Sequence, residues 1–280
     1  MMRLLMILLI AMFGGPVLAK DGLRLGVFGV VQTVSPLMVA GQKITLPEDV
    51  PVISPLGLGQ TIGVGDTLAV RVKMDQGSLT AMRILQIHPI VGPISSVHGN
   101  TAIIMGSAVH VPPDLDLKTG MWVALSGFWS GEKLITTRSR GITQSGFGHL
   151  TGVVSSQDFK LGGSELYGAK APDEGFGNHI WMFSGAPQKE GLGVSLIAKG
   201  IFGGDMDLAV WQGHASLPIA SQTYTIHGTG LIGTARDAQM PDAGALITRC
   251  TRKGRILDVA PDGMEAAFDA LGCSRYTQAD

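Results

Sequence analysis

The sequence predicts an all-β chain made from copies of one short strand-and-turn unit, each curled round its own apolar interior. Three observations predict it. Forty glycines and fourteen prolines in 280 residues break the chain into short segments, which favours turns and strands over long helices. Apolar residues alternate with polar ones over runs of four to ten residues, the period of a strand with one buried face. A glycine-led strand also recurs: Gly65-Asp66-Thr67-Leu68-Ala69-Val70-Arg71-Val72, Gly120-Met121-Trp122-Val123-Ala124-Leu125-Ser126-Gly127 and Gly193-Val194-Ser195-Leu196-Ile197-Ala198-Lys199-Gly200. A fixed spacing found three times is the signature of repeat architecture.

Taken in order, residues 1–19 read as a secretory signal peptide. Arg3 is its positive region, Leu4 to Phe13 its apolar run, and cleavage is expected between Ala19 and Lys20. An uncleaved anchor is the alternative, but the run falls short of the roughly 20 residues that span a bilayer. Repeat 1 is placed at 20–88. Its opening strand is Leu25–Val34, its hairpin lies around Val39–Leu46, and Pro47 to Ile62 forms a Pro/Gly-rich loop before Gly65. Repeat 2, at 89–143, restates this with Gly92–Val97, a Gly99-Asn100 turn, Thr101–Val111, Gly120–Gly127 and Leu134–Thr137. Repeat 3, at 144–215, opens at Leu150–Val154. It carries an apparent insertion from about Gly168 to Gly191, and closes with the strands Val194–Lys199 and Leu208–Trp211.

The pattern changes in a C-terminal β/α module at 216–280. Ala245–Cys250 and Arg255–Val259 predict a hairpin around Arg252-Lys253-Gly254. Met264, Ala267, Phe268 and Leu271 then fall on one face of a short helix. Asp262 is the expected N-cap and Gly272 the expected stop. The two cysteines, Cys250 and Cys273, both belong to the exported part. An even count there predicts one disulfide, with two free thiols as the alternative.

The Gly-Val-Val or Gly-Pro-Ile opening, the Ser-Ser-Val or Thr-Val that follows, and the glycine-led strand after the turn together resemble a family of small exported bacterial β-domains of unknown function. The likeness covers Leu25 to about Trp211 and is best in the second copy. It implies tandem OB-like five-stranded barrels, and it carries no catalytic residues to transfer.

Composition limits the function. Only 15% of residues are charged, against roughly 25% in ordinary soluble chains, and the net charge is −1. No basic face is available for nucleic acid or for anionic lipid, and no later segment is long enough for a membrane span. Gly228-Thr229-Gly230-Leu231-Ile232-Gly233 spells a dinucleotide fingerprint, but Thr234-Ala235-Arg236-Asp237 and Pro241 do not continue as the helix that fingerprint needs. No cofactor is expected. Of the seven histidines only His98 and His110 are expected to approach each other, too few ligands for a metal. Asp205 and Asp207, two apart beyond a Gly-Gly turn, are the carboxylates an enzyme would use. No Gly-x-Ser-x-Gly elbow is present.

The aromatic residues carry more weight. Trp129, Trp181 and Phe128 are the expected binding residues, with Trp129 at a turn where its ring either meets a partner or packs on a neighbouring barrel. The expected function is a non-catalytic binding or scaffolding protein of the periplasm or cell exterior, its partner an envelope protein or a glycan. The alternative is a secreted, carbohydrate-active enzyme.

Overall fold

The alternating stretches become strands, and strand pairing sorts them into one arrangement used repeatedly. The computed structural model describes residues 22–276 except 114, 156, 174, 220–221 and 235–239. The expected signal peptide and its expected cleavage pair, Ala19 and Lys20, lie outside the described residues.

The first unit holds β1 (Leu25–Val34), β2 (Leu37–Val39), β3 (Gln42–Thr45), β4 (Val52–Ser54), β5 (Gly57–Leu58), β6 (Thr67–Asp75) and β7 (Ser78–Ile87). β1 pairs β2, β2 pairs β3, β3 runs parallel to β7, β7 pairs β6, and β6 returns to β1. The ring is a closed five-stranded barrel, with β4 and β5 as extras drawn from the Pro/Gly-rich loop. The second unit repeats it with β8 (Ile90–His98), β9 (Thr101–Ile104), β10 (Ser107–His110), β11 (Trp122–Ser130) and β12 (Lys133–Gly141). Its strands close in the same order, with β10 parallel to β12.

The next ten strands follow the same order twice more, less completely. The third unit comprises β13 (Gly148–Val153), β14 (Lys160–Leu161), β15 (Ser164–Tyr167), β16 (Ile180–Gln188) and β17 (Gly191–Lys199). β13 pairs β16, β16 pairs β17, β15 runs parallel to β17, and β14 pairs β15. Between β13 and β14 the ring is bridged by the Ser155 N–H donating to the Lys160 carbonyl, 2.8 Å. The fourth unit comprises β18 (Leu208–His214), β19 (Thr223–Ile226), β20 (Leu231–Thr234), β21 (Leu246–Arg252) and β22 (Arg255–Leu257). β20 runs parallel to β22, and Ala215 opposite Ile226 joins the first strand to the second.

This corrects the expected organisation in two places. The apparent insertion between Gly168 and Gly191 contains the third unit's fourth strand, β16. The strand expected to close that unit, Leu208–Trp211, instead opens the fourth, pairing with β1 and β21. The stretch from Gly193 to Lys199 lies in a fifth strand, not in the fourth-strand position held by Thr67–Val72 and Trp122–Gly127.

A backbone lock marks the true fourth-strand starts. Gly65, Gly120 and Gly244 have φ of +87°, +85° and +78°, where glycine is tolerated and other residues are strained. Their N–H groups donate to the carbonyls of Val31, Ile94 and Ala215 at 2.9, 2.9 and 2.8 Å. Val31, Ile94 and Ala215 donate back to Asp66, Met121 and Ala245 at 2.8, 2.8 and 2.9 Å. A third bond closes the turn, from the N–H groups of Asp66, Met121 and Ala245 to the carbonyls of Gly63, Lys118 and Asp242 at 3.1, 3.1 and 3.0 Å, so the same three bonds are made in units one, two and four.

The interiors are pooled rather than separate. β1 also runs parallel to β18, uniting units one and four in one sheet, while β8 pairs β13 and unites two and three. The cluster inside units two and three is continuous, from Ile90 and Leu125 to Phe183 and Leu192. A further cluster, with Phe28, Phe128, Ile180, Phe202 and Ala209, draws on every unit or its linker. In it Phe28 packs on Phe128 and Trp211 at 5.8 and 5.2 Å.

The predicted helix forms at Glu265–Ala270 (α1). Its N-cap is Met264, with no side-chain bond, so Asp262 is not the cap. Gly272, at φ +62°, ends it as expected. Ala267, Phe268 and Leu271 enter the first unit's core beside Cys250 and Cys273. Those cysteines form the expected disulfide. Tyr276 then donates to the Ala40 carbonyl, 3.1 Å, and accepts from Gln42 Nε2, 2.7 Å. The C-terminal segment is therefore a plug on the first barrel.

Two outcomes follow. Replacing both cysteines by alanine is expected to lower stability by about 3 kcal/mol, the chain-entropy value for a loop of this size; an unchanged urea midpoint contradicts that. Gly65→Ala is expected to cost more than Gly120→Ala in the same measurement. Both need left-handed backbone, but a Cβ at Gly65 would lie 2.7 Å from the Thr137 carbonyl oxygen, while at Gly120 it meets open space. Equal losses would contradict the contact.

Candidate functional site

The fourth unit's β19–β20 turn, His227-Gly228-Thr229-Gly230, lies where units two, three and four meet. A Cβ on Gly228 would stand 2.6 Å from the Trp129 ring of unit two, and one on Gly230 would collide with the Asn178 carbonyl oxygen of unit three. Any larger residue would wedge the units apart. Thr229 braces the turn, its Oγ1 donating to the Ile226 carbonyl at 2.7 Å. The glycines of the fingerprint-like stretch thus serve close packing, and β20 rather than a helix follows them.

Over this turn opens a cleft of about 300 Å³. Unit two contributes Glu132 to its wall, unit three Asp158, Lys160 and Asn178, and unit four His227 and Ile232. Glu132, Asp158 and Asn178 are exposed. Lys160 stands 4.0 Å from Glu165, a partly solvated pair. Burial, and then the neighbouring His214, lower the pKa of His227 from its ordinary 6.5, which favours a neutral imidazole. The ionisable groups stand along the walls, with no side-chain hydrogen bond or ion pair joining one ionisable cleft residue to another among the described contacts. That arrangement offers donors and acceptors to a ligand rather than a nucleophile with its base.

Between the wall residues Asp158 and Lys160 stands Phe159, 43% exposed, with φ +55°. A bulky residue in left-handed backbone is an outlier costing on the order of 1–3 kcal/mol, and such outliers cluster at functional sites. Its ring meets Phe176 edge-on at 5.6 Å, and Phe176 in turn meets Trp181 and Phe183 at 5.3 and 5.7 Å. The aromatic ladder seats the exposed ring on the third unit's core.

The expected binding residues lie elsewhere. Phe128, Trp129 and Trp181 are 4%, 5% and 5% exposed. Trp129 donates from Nε1 to the Thr151 carbonyl at 2.8 Å and packs against Gly152, Gly162 and Gly228. Phe128 belongs to the central junction, and Trp181 donates to the Phe176 carbonyl at 2.7 Å. None presents a ring face to solvent. Their size and apolarity are used between units. Asp207 is also committed: it accepts from the Arg24 backbone N–H at 2.9 Å, which lowers its pKa, and it pairs with the Arg24 guanidinium. Asp205 is exposed and does not join it. His98 and His110 both lie opposite Thr101 in neighbouring strands, and no group of three metal-holding side chains occurs among the described residues.

A buried polar cluster at the joint of units one and two was not anticipated. Asp66, fully buried, accepts at Oδ2 from the Gly63 N–H, Gln86 Nε2, Arg138 Nη1 and Arg140 Nη2, at 2.7, 2.8, 2.9 and 2.6 Å. Arg138 and Arg140 are two apart on β12 and so reach the same side. His88 is buried nearby. Burial, then the Arg140 charge, push its pKa down to about 4, with Arg138 adding to the effect and the Leu125 backbone opposing it. His149 is held by Ser184 Oγ and Thr151 Oγ1 at 2.9 and 2.7 Å. Burial, with a smaller contribution from His88, takes its pKa down to about 3.

Comparison with protein-family models, with curated proteins and with solved structures returned no match. The resemblance read from the sequence therefore rests on the tandem barrels alone.

Three outcomes test the joints. Both buried histidines stay neutral in the folded protein well below 6.5, whereas the unfolded chain takes up protons near 6.5. Stability is therefore full above about pH 6.5 and falls as pH drops toward 4 and then 3. Thermal midpoints between pH 7 and 4 should show this slope, and His88→Leu should make it shallower; an identical slope contradicts the assignment. Asp66→Ala leaves two guanidinium groups without their carboxylate and should cost about 3–5 kcal/mol, read from the urea midpoint. Trp129→Ala should cost a similar ~3–5 kcal/mol through lost packing between units; a loss under ~1 kcal/mol would mean that the ring is not an inter-unit wedge.

Proposed function

We propose that this chain is a non-catalytic binding protein of a bacterial envelope that holds a glycan in the cleft between units two, three and four. The observation that carries the reading is the cleft itself. It sets Asn178, Asp158, Glu132 and Lys160 around an opening, and Phe159, between Asp158 and Lys160 in the chain, is 43% exposed. Sugars offer hydroxyls to such side chains and C–H faces to such rings. The strand order in each unit, first to second to third to fifth to fourth and back, supports an OB-like barrel, a fold that elsewhere binds oligosaccharides or oligonucleotides. The weak net charge disfavours the oligonucleotide. A disulfide fits an oxidising compartment outside the cytoplasm. No helix among the described residues is long and apolar enough to cross a membrane.

The test is a titration of the mature chain with neutral and acidic soluble oligosaccharides, followed by NMR and calorimetry. Saturable binding that shifts Phe159, Asn178 and Ile232 is expected, weakened about tenfold or more, roughly 1.4 kcal/mol, in Phe159→Ala. Binding unchanged in that variant, or no binding by any oligosaccharide, overturns the reading. Release of new reducing ends would show an enzyme instead.

A further inference from the structure

The fifth strand of the unit has one edge that each copy must deal with. In unit one, β3 pairs only with the start of β7, at Leu79 and Thr80. The chain then loops out and returns as β4, parallel to the far half, with Val52 opposite Ile84 and Ile53 opposite Leu85. In unit two the far half of β12 is covered by the first unit's 61–66 loop. Thr137 Oγ1 donates to the Gly65 carbonyl, while Arg138 and Arg140 engage Asp66 and Arg140 also reaches the Thr61 carbonyl. In unit four β22 ends at Leu257, too short to have a far half.

Unit three has the far half and, among the described residues, lacks the cover. β15 pairs with β17 only at Gly191, Leu192 and Gly193, and the chain goes on to β16 without returning. The bulges at Arg71/Val72 and Ser184/Gly185 align the two units, which places Ile197 and Ala198 at the positions of Ile84 and Leu85. Where Ile84 is fully buried and Leu85 8% exposed, Ile197 is 38% exposed and Ala198 is exposed; Leu196, at the position of the half-buried Arg83, is 66% exposed, and every residue from Ser195 to Lys199 is exposed. Neither proline nor charge interrupts Val194-Ser195-Leu196-Ile197-Ala198. An apolar edge without such guards invites another strand.

We propose that β17 is a docking edge for an extended apolar segment of a partner protein, which adds as a strand parallel to Val194–Ala198 in the place β4 takes on β7. This is strand addition: main-chain bonds supply affinity, and alternate side chains cover Leu196 and Ile197. The occupant is a partner rather than a second copy, because a two-fold axis relating two β17 edges makes them antiparallel, whereas the unit's own solution is parallel. No residue of β17 lines the cleft, so the inference stands apart from the glycan reading.

The probe is a synthetic peptide of this chain's residues 50–56, Val-Pro-Val-Ile-Ser-Pro-Leu, which includes β4. Added to the mature chain, it should shift the amides of Ser195 to Ala198 saturably and slow their hydrogen exchange. Affinity should fall at least about tenfold in Ile197→Lys, and the peptide methylated at its backbone nitrogens should not bind. The methylated peptide decides the matter even if that variant misfolds. Unshifted β17 amides at the peptide's solubility limit, equal binding by the methylated peptide, or shifts confined to the cleft overturn the proposal. So does a concentration-dependent dimer that already protects those amides.

Discussion

The lock between the first and fourth strands of a unit is the constraint from which the rest follows. A left-handed glycine turns the chain so that its own N–H and the next residue's carbonyl both meet one residue of the first strand, Val31, Ile94 or Ala215. That fixes the fourth strand's register. Since side chains alternate, register decides which residues enter the barrel and which face out. It also fixes where the first strand bends. β1 and β8 give their first halves to the fourth strand and their second halves to the second strand. The opposite edge of each first half is left free, and a sister unit takes it: β18 lies along Leu25–Phe28, and β13 along Ile90 and Val91.

Joining first strands brings four small units into one body, and the remaining joints are made tight by residues suited to closeness. Glycine at 228 and 230 lets Trp129 and Asn178 approach. Apolar rings fill the centre, where Phe28, Phe128, Phe202 and Trp211 meet. Between the first two units an ionic contact stands beside this apolar one. Burying Asp66 with two arginines costs desolvation that the pairing offsets only if geometry is good. Its main effect is therefore on which arrangement forms, since Arg138 and Arg140 have no other buried carboxylate to meet among the described ion pairs.

Much of this was legible in the residues. The glycine-led strands after Gly65 and Gly120, the alternation in the first two units, the disulfide and the apolar face of the short helix all follow from local rules that tertiary context did not override. The failures share one cause. Fourth and fifth strands have the same glycine-then-alternation pattern, so Gly193 looked like a third copy of Gly120. The real third copy of the lock, at Gly244, is followed by Ala245-Leu246-Ile247-Thr248, whose thinner apolar signal hid it. The site was less legible. Large aromatics at Phe128, Trp129 and Trp181 fit between barrels as well as they would fit a ligand, and sequence alone does not say which neighbour covers them. Two signals were present nonetheless: a carboxylate directly after the turn glycine at Asp66, and two arginines spaced by two on one strand. The cleft had no local signal, because three units separated in sequence build it.

The most direct test is of the fourth unit and its junction with the first. Nuclear Overhauser contacts in the mature chain should connect Val27 with Val210, Ala215 with Ile226, and Ile232 with Arg255, the pairings that make residues 208–257 a further copy seated on β1. Contacts placing Leu208–Trp211 beside Val194–Lys199 instead would return β18 to the third unit and contradict the four-unit account.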